Sequence, residues 1–70
     1  MTDLAIWVVY DHPSNWPDWY VARCWKGETP TGDMMLNRDL DDLRDALEQK
    51  GLVHLDRMEG DDPVILETWI

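Results

Sequence analysis

Four carboxylates in one short stretch, Asp41, Asp42, Asp45 and Glu48, are the residues of this chain best placed to do chemistry. That chemistry is electrostatic rather than catalytic. Asp41, Asp45 and Glu48 fall at i, i+4 and i+7, so a helix carries them as one stripe with Asp42 beside it. At about 1.5 Å of rise per residue the stripe spans roughly 10 Å. Phosphates along one DNA strand advance about 3.4 Å per nucleotide. Three carboxylates over that distance imitate a few phosphates. Arg44 interrupts the face and is expected to pair with Glu48 at i,i+4. Solvation alone also gives a surface helix a charged outer face. Acid elsewhere asks for more than solvation: Asp61, Asp62, Glu59, Asp11, Asp18, Asp33 and Glu28 place carboxylates in nearly every loop.

Other chemistry finds little to stand on. Cys24, His12 and His54 are the types for a nucleophile and its base, but Cys24 falls in the apolar alternation of a strand and reads as a small buried residue. His12 precedes Pro13 in a loop, and His54 alternates with Leu52 and Asp56. Asp39-Leu40-Asp41-Asp42 lacks the spaced ligands and central glycine of a calcium loop. The Glu59-Gly60-Asp61-Asp62 turn would hold a divalent ion casually, and a tight hairpin turn explains it equally well. No glycine loop cradles a phosphate. The expectation is a protein that is not an enzyme, with no metal and no cofactor.

Five tryptophans and no phenylalanine form the second anomaly. Trp7 and Trp69 sit in predicted strands and are assigned to the core. Trp19 and Trp25 share a strand face with Arg23, and Trp16 lies in a Pro-rich loop. A domain with one helix does not easily bury five indoles, and exposed rings favour a protein interface. The alternative is that Pro13, Pro17 and Trp16 pack the loop onto the sheet. Base stacking on these rings would need a basic groove around them, which the charge opposes.

The elements that position these residues follow from periodicity. Residues 4–10 are β-branched and aromatic, a strand composition. Leu4, Ile6, Val8 and Tyr10 take one face, and Ala5, Trp7 and Val9 the other. Both faces are apolar, which predicts a central strand. Residues 11–18 break the pattern with two prolines and turn formers. Residues 19–25 read as a second strand, with Tyr20, Ala22 and Cys24 on one face. Residues 26–33 read as a connection, and 34–36 as a short third strand. The period then changes to helical over 40–50, with Leu40, Leu43 and Leu47 as core stripe, Asp39 as N-cap and Lys50-Gly51 as the close. Residues 52–57 fit a strand, a turn follows, and Pro63 opens a last strand over 64–70, in which Val64, Leu66, Thr68 and Ile70 share one face. The last two strands form a hairpin. The expected fold is α+β: a small antiparallel sheet of four to five strands with one helix on one face, in the order β-β-(β)-α-β-β.

Length and charge bound the class. Residues 1–70 make one domain, and a domain of this size buries only about 60% of its unfolded surface. Fifteen acidic residues against six basic ones give a formal charge of −9. Such an excess speaks of solubility and partners rather than fold. It opposes direct binding to nucleic acid or an anionic membrane, and it favours a basic partner, nucleic-acid-binding proteins included. A single cysteine excludes an internal disulfide and fits a reducing cytoplasm. No apolar run approaches the roughly 18 residues of a membrane span, and Met1-Thr2-Asp3 lacks a signal-peptide start. A cytoplasmic protein is expected, monomeric rather than dimeric.

The stretch Trp7-Val8-Val9-Tyr10-Asp11-His12-Pro13, then Trp19-Tyr20-Val21-Ala22-Arg23, and the ending from Asp61 to Ile70 resemble short proteins of bacterial and prophage origin. That likeness covers most of the chain and brings no catalytic residue. In size, single αβ domain and acidity the chain also resembles phage anti-CRISPR proteins, the acidic inhibitors of type I systems, type I-C among them, standing nearest. This resemblance implies a protein of the bacterial host cytoplasm that binds a type I surveillance complex and blocks target DNA. Asp41, Asp42, Asp45, Glu48, Asp61 and Asp62 would supply the charge, with Trp16 or Trp19 as anchor. The alternative expectation is a small housekeeping or phage interaction module, a homodimer joined through a strand edge or the Trp19/Trp25 face.

Overall fold

A computed structural model describes residues 5–56 and 64–70. Five strands and one helix follow the chain as β1 (Ala5–Asp11), β2 (Tyr20–Lys26), β3 (Thr29–Asn37), α1 (Leu40–Gln49), β4 (His54–Asp56) and β5 (Ile65–Trp69). All neighbouring strands pair antiparallel in the spatial order β3-β2-β1-β5-β4. β1, the most apolar segment, is the central strand, as its two apolar faces require. The fold is the α+β architecture expected, with the third strand present in full.

That third strand is where local chemistry misleads. Residues 26–33 are not a long connection. Gly27, at φ 61°, lets the chain reverse within two residues, because a left-handed backbone costs glycine nothing sterically. Strand pairing resumes at once, Lys26 opposite Thr29 and Trp25 opposite Pro30. Pro30 is tolerated because β3 is an edge strand. The register then shifts between Arg23 and Trp25, the irregularity that a Gly- and Pro-bearing edge absorbs. The fourth strand starts later than expected: among the described residues pairing runs from His54 to Asp56, although Val53 still exchanges both backbone hydrogen bonds with Ile70, and Arg57 lies outside the described residues. Leu4, the turn from Glu59 to Asp62, and Pro63 lie outside the described residues.

The helix is as its sequence prescribes. Asp39 Oδ1 accepts from the backbone N–H of Asp41 at 2.9 Å and of Asp42 at 3.4 Å, satisfying two orphan donors of the first turn. Lys50 and then Gly51, at φ 83°, end it. Leu43 and Leu47 are fully buried against Trp7, Val9, Ala22, Cys24 and Trp69, with Leu40 at the margin. Trp7 and Trp69 are core residues, as assigned, at 8% and 2% exposure. α1 thus closes one face of the sheet, lying over β2 and β3. Among the described residues no helix lies on the opposite face.

Leu47 fills the centre of this single core, so Leu47→Ala should destabilise the domain by about 2–5 kcal/mol. A urea titration reads this as a lowered midpoint with little change in slope; a loss under about 1 kcal/mol would mean the helix does not close the core.

Candidate functional site

The acidic stripe stands on the side of α1 that its leucines leave free. With Leu43 and Leu47 turned inward, Asp41, Asp42, Asp45 and Glu48 are all exposed. The Asp41 side chain is 91% exposed. Asp45 Oδ2 accepts from Gln49 Nε2 at 3.2 Å, a neutral donor that orients the carboxylate and leaves its charge intact.

Arg44 does not serve this face as its spacing suggested. Instead of the expected pair with Glu48, its Nε and Nη2 donate to Glu67 Oε1 at 2.9 and 2.6 Å. Its remaining approach to the stripe is long, 3.9 Å from Nη1 to Asp41 Oδ1. Glu67 lies on β5 at 1% exposure, opposite Val9 in the register. A carboxylate so placed must be paired, because an isolated buried charge costs far more than it returns. Glu67 takes a second partner from its own strand: Trp69 Nε1 donates to Oε2 at 2.6 Å. His54 Nε2 stands 3.5 Å from Oε1, its ring edge-on to Trp69 at 5.1 Å between centroids. Burial pushes the Glu67 carboxyl upward, but the hydrogen bonds from Arg44 and Trp69, with the charges of Arg44 and His54, outweigh it and hold the group below its ordinary 4.5. The same bond to Glu67 raises Arg44 against its own desolvation. A cleft of about 300 Å³ opens beside this network, lined by Arg44, Glu48, His54 and Trp69.

Sequence reasoning missed Glu67. The face of the last strand it singled out, with Leu66, Thr68 and Ile70, is not the buried one that carries Glu67 and Trp69. The available signal was the lone acid in an apolar strand, two residues from a core tryptophan, together with one arginine in the middle of an acidic helix.

The other expected site residues are dispersed. Trp16, 40% exposed, lies across the sheet from the helix, where it lines a cavity of about 130 Å³ with Tyr10, Pro13, Asn15, Val21 and Arg23. The Pro-rich loop therefore packs onto the sheet and still presents its indole, on the side away from the acidic stripe. Trp19 is half-buried beneath Arg38, whose guanidinium carbon is 4.8 Å from the ring centroid. Asp61 and Asp62 lie outside the described residues. Cys24 is buried at 5%. Cys24, Trp7, Trp69 and His54 form successive register pairs across four strands. Three strand spacings thus put His54 roughly 14 Å from Cys24, with two indoles between. His12 sits past the other end of β1, hydrogen-bonded to Asp11 and edge-on to Tyr20. The structure does not bring the thiol and the histidines together. Among the described residues no three His, Cys, Asp or Glu side chains group as metal ligands, and no helix is long and apolar enough to cross a membrane.

Comparison with protein-family models, with curated proteins and with solved structures finds no match for this chain.

Arg44→Ala leaves Glu67 buried with Trp69 and His54 alone. The expected loss is about 3 kcal/mol in denaturant unfolding, at the low end for a broken buried pair because Arg44 is itself partly solvated. Acid should act on the same bond. A carboxyl depressed by folding contributes stability above its unfolded value, and loses that contribution as pH falls through the folded value. Stability of the native chain should therefore drop below about pH 4.5, and Glu67→Gln should flatten that part of the profile. An identical acid profile for Glu67→Gln would show that Glu67 is not depressed.

Proposed function

We propose that this chain is a non-catalytic acidic inhibitor that occupies a basic nucleic-acid-binding surface, with the outer face of α1 as its contact. The observation that carries the reading is the inward turn of Arg44. Asp41, Asp42, Asp45 and Glu48 are all exposed, and the arginine among them spends its hydrogen bonds on Glu67. A helix merely kept soluble gains from i,i+4 pairing of opposite charges; here the cation's hydrogen bonds go to Glu67, its contact with the stripe is the 3.9 Å approach to Asp41, and Asp42, Asp45 and Glu48 are left for an external partner. The formal charge of −9 extends the same field over the molecule, which steers a basic partner to it over distances of about a Debye length.

The resemblance in size and acidity to anti-CRISPR proteins supplies the target class, a type I surveillance complex, where occupation of the basic DNA channel would exclude target DNA. The stripe imitates a short run of phosphates, so it needs lysines and arginines at phosphate-binding positions. Trp16 is not part of this contact, since it stands on the other side of the sheet. Association of this kind is fast at low salt and slows as ions screen the approach.

Asp41→Lys, Asp45→Lys and Glu48→Lys together reverse the stripe without touching Leu43 or Leu47. The triple variant should keep its fold by circular dichroism, and should lose binding to a purified type I-C surveillance complex and inhibition of its target-DNA binding. The native on-rate should fall steeply with ionic strength. Full inhibition by the triple variant, or an on-rate indifferent to salt, would overturn the reading.

A further inference from the structure

The two sides of the sheet differ more than a one-helix fold requires. Register fixes which residues share the side opposite α1: Val8 pairs with Arg23 and Thr68, Tyr10 with Val21, and Ile6 with Trp25. β3 extends that side with Met34 opposite Arg23 and Leu36 opposite Val21. β4 extends it at the far edge with Leu55 opposite Thr68. Val53 and Ile70 hydrogen-bond to each other one step beyond the His54–Trp69 pair, so alternation puts them there too. Trp16 lies over Tyr10 and Val21. These six, Trp16, Met34, Leu36, Val53, Leu55 and Ile70, are all of the exposed large apolar side chains among the described residues, at 36% to 62% exposure.

Charge is sorted the opposite way. The acids at registered strand positions are Asp11, opposite Tyr20, Asp56, opposite Glu67, and Glu67 itself. Tyr20 packs on the core under α1, and Glu67 bonds to Arg44 of α1. All three therefore belong to the helix side. No carboxylate holds a registered position on the open side, whose one charged registered residue is Arg23, lying 5.9 Å from the Trp25 ring. In a chain of charge −9 this is an apolar platform kept clear of acid.

We propose that the open sheet face is a self-association surface, and that its occupant is a second copy of this chain. With no registered carboxylate and one registered cation among the described residues, this platform offers little to recognise an acidic or a basic partner, but it is complementary to itself. Two copies packed face to face about a two-fold axis form an isologous sandwich, with sheets roughly 10 Å apart. Both helices then lie on the outside. The acidic stripes are separated by two sheets and two helix layers, several times the roughly 8 Å Debye length at physiological salt. The helix acids of the two copies therefore do not oppose the dimer. The whole molecule measures 37 × 27 × 24 Å, so a face-to-face pair reaches about the 800 Å² per partner of a stable interface by using most of one side. Exposed apolar surface of this extent on a monomer is otherwise an aggregation hazard.

Sedimentation equilibrium on the full chain alone tests this without any target. At about 50 µM, a concentration that populates micromolar dimers, the native chain should show twice its 8.3 kDa mass, and higher salt should not dissociate it. Leu36→Glu with Leu55→Glu places charge on both edges of the platform and should yield a monomer with unchanged circular dichroism. Val53→Glu, at the most exposed of the six positions, should weaken the dimer should the double variant fail to fold. The helix triple-lysine variant should remain dimeric. A native chain that is monomeric at this concentration overturns the proposal, including when the face is protected only in complex with another protein. A dimer that survives both sets of glutamate variants overturns it equally, by placing the contact elsewhere.

Discussion

A carboxylate buried between a small sheet and its helix is the constraint around which this molecule is arranged. Glu67 faces the same core as Val9 and Trp69, at 1% exposure, where bulk solvent scarcely reaches it. Three groups from three elements converge on it: Arg44 from α1, Trp69 from β5 and His54 from β4. The leucines of α1 bind it to the sheet without direction, since apolar burial is indifferent to small rotations. The two Arg44 bonds to one oxygen supply that direction. They add a directional tie between helix and sheet to the leucine packing that already turns the carboxylates to solvent. A domain of this size has little stability to spare, so the penalty of an unpaired Glu67 would be felt across the whole fold.

The consequence reaches the surface. An arginine whose hydrogen bonds go to Glu67 has none for Asp45 or Glu48, and keeps only a 3.9 Å approach to Asp41. One internal ion pair thus makes the helix face more acidic than its composition implies. On the other side of the sheet the same economy of charge leaves an apolar platform, with Arg23 its one charged registered residue. Between them the sheet separates two surfaces of opposite character, one suited to long-range attraction of a basic partner and one suited to short-range apolar contact. They do not compete for residues, so a single chain of 70 residues can use both at once.

What could be read in the sequence was what depends on neighbours along the chain. The helix, with Asp39 as cap, Gly51 as close and Leu43 and Leu47 inward, follows from local rules, and so does the central strand, whose two apolar faces announce it. The third strand was obscured because Gly27, Pro30 and Gly32 carry the local chemistry of a loop, and only pairing with β2 makes residues 29–37 extended. The acidic stripe was legible as a periodicity. The role of Arg44 was not, because Glu67 is 23 positions away and a closer acid, Glu48, offered itself at ideal spacing. The sorting of apolar and acidic residues to opposite sides was equally hidden, since it depends on the register of five strands rather than on any one of them.

Carboxylate footprinting by carbodiimide labelling and mass spectrometry, on the free chain and on the chain bound to a type I-C surveillance complex, tests the central claim most directly. That claim is that a buried, paired Glu67 leaves the helix acids free for a basic partner. In the free protein Asp41, Asp42, Asp45 and Glu48 should label readily and Glu67 should not. In the complex the four helix acids should become protected while Glu67 stays unreactive. A Glu67 that labels in the folded free chain, or helix acids that label equally in both states, would contradict the account.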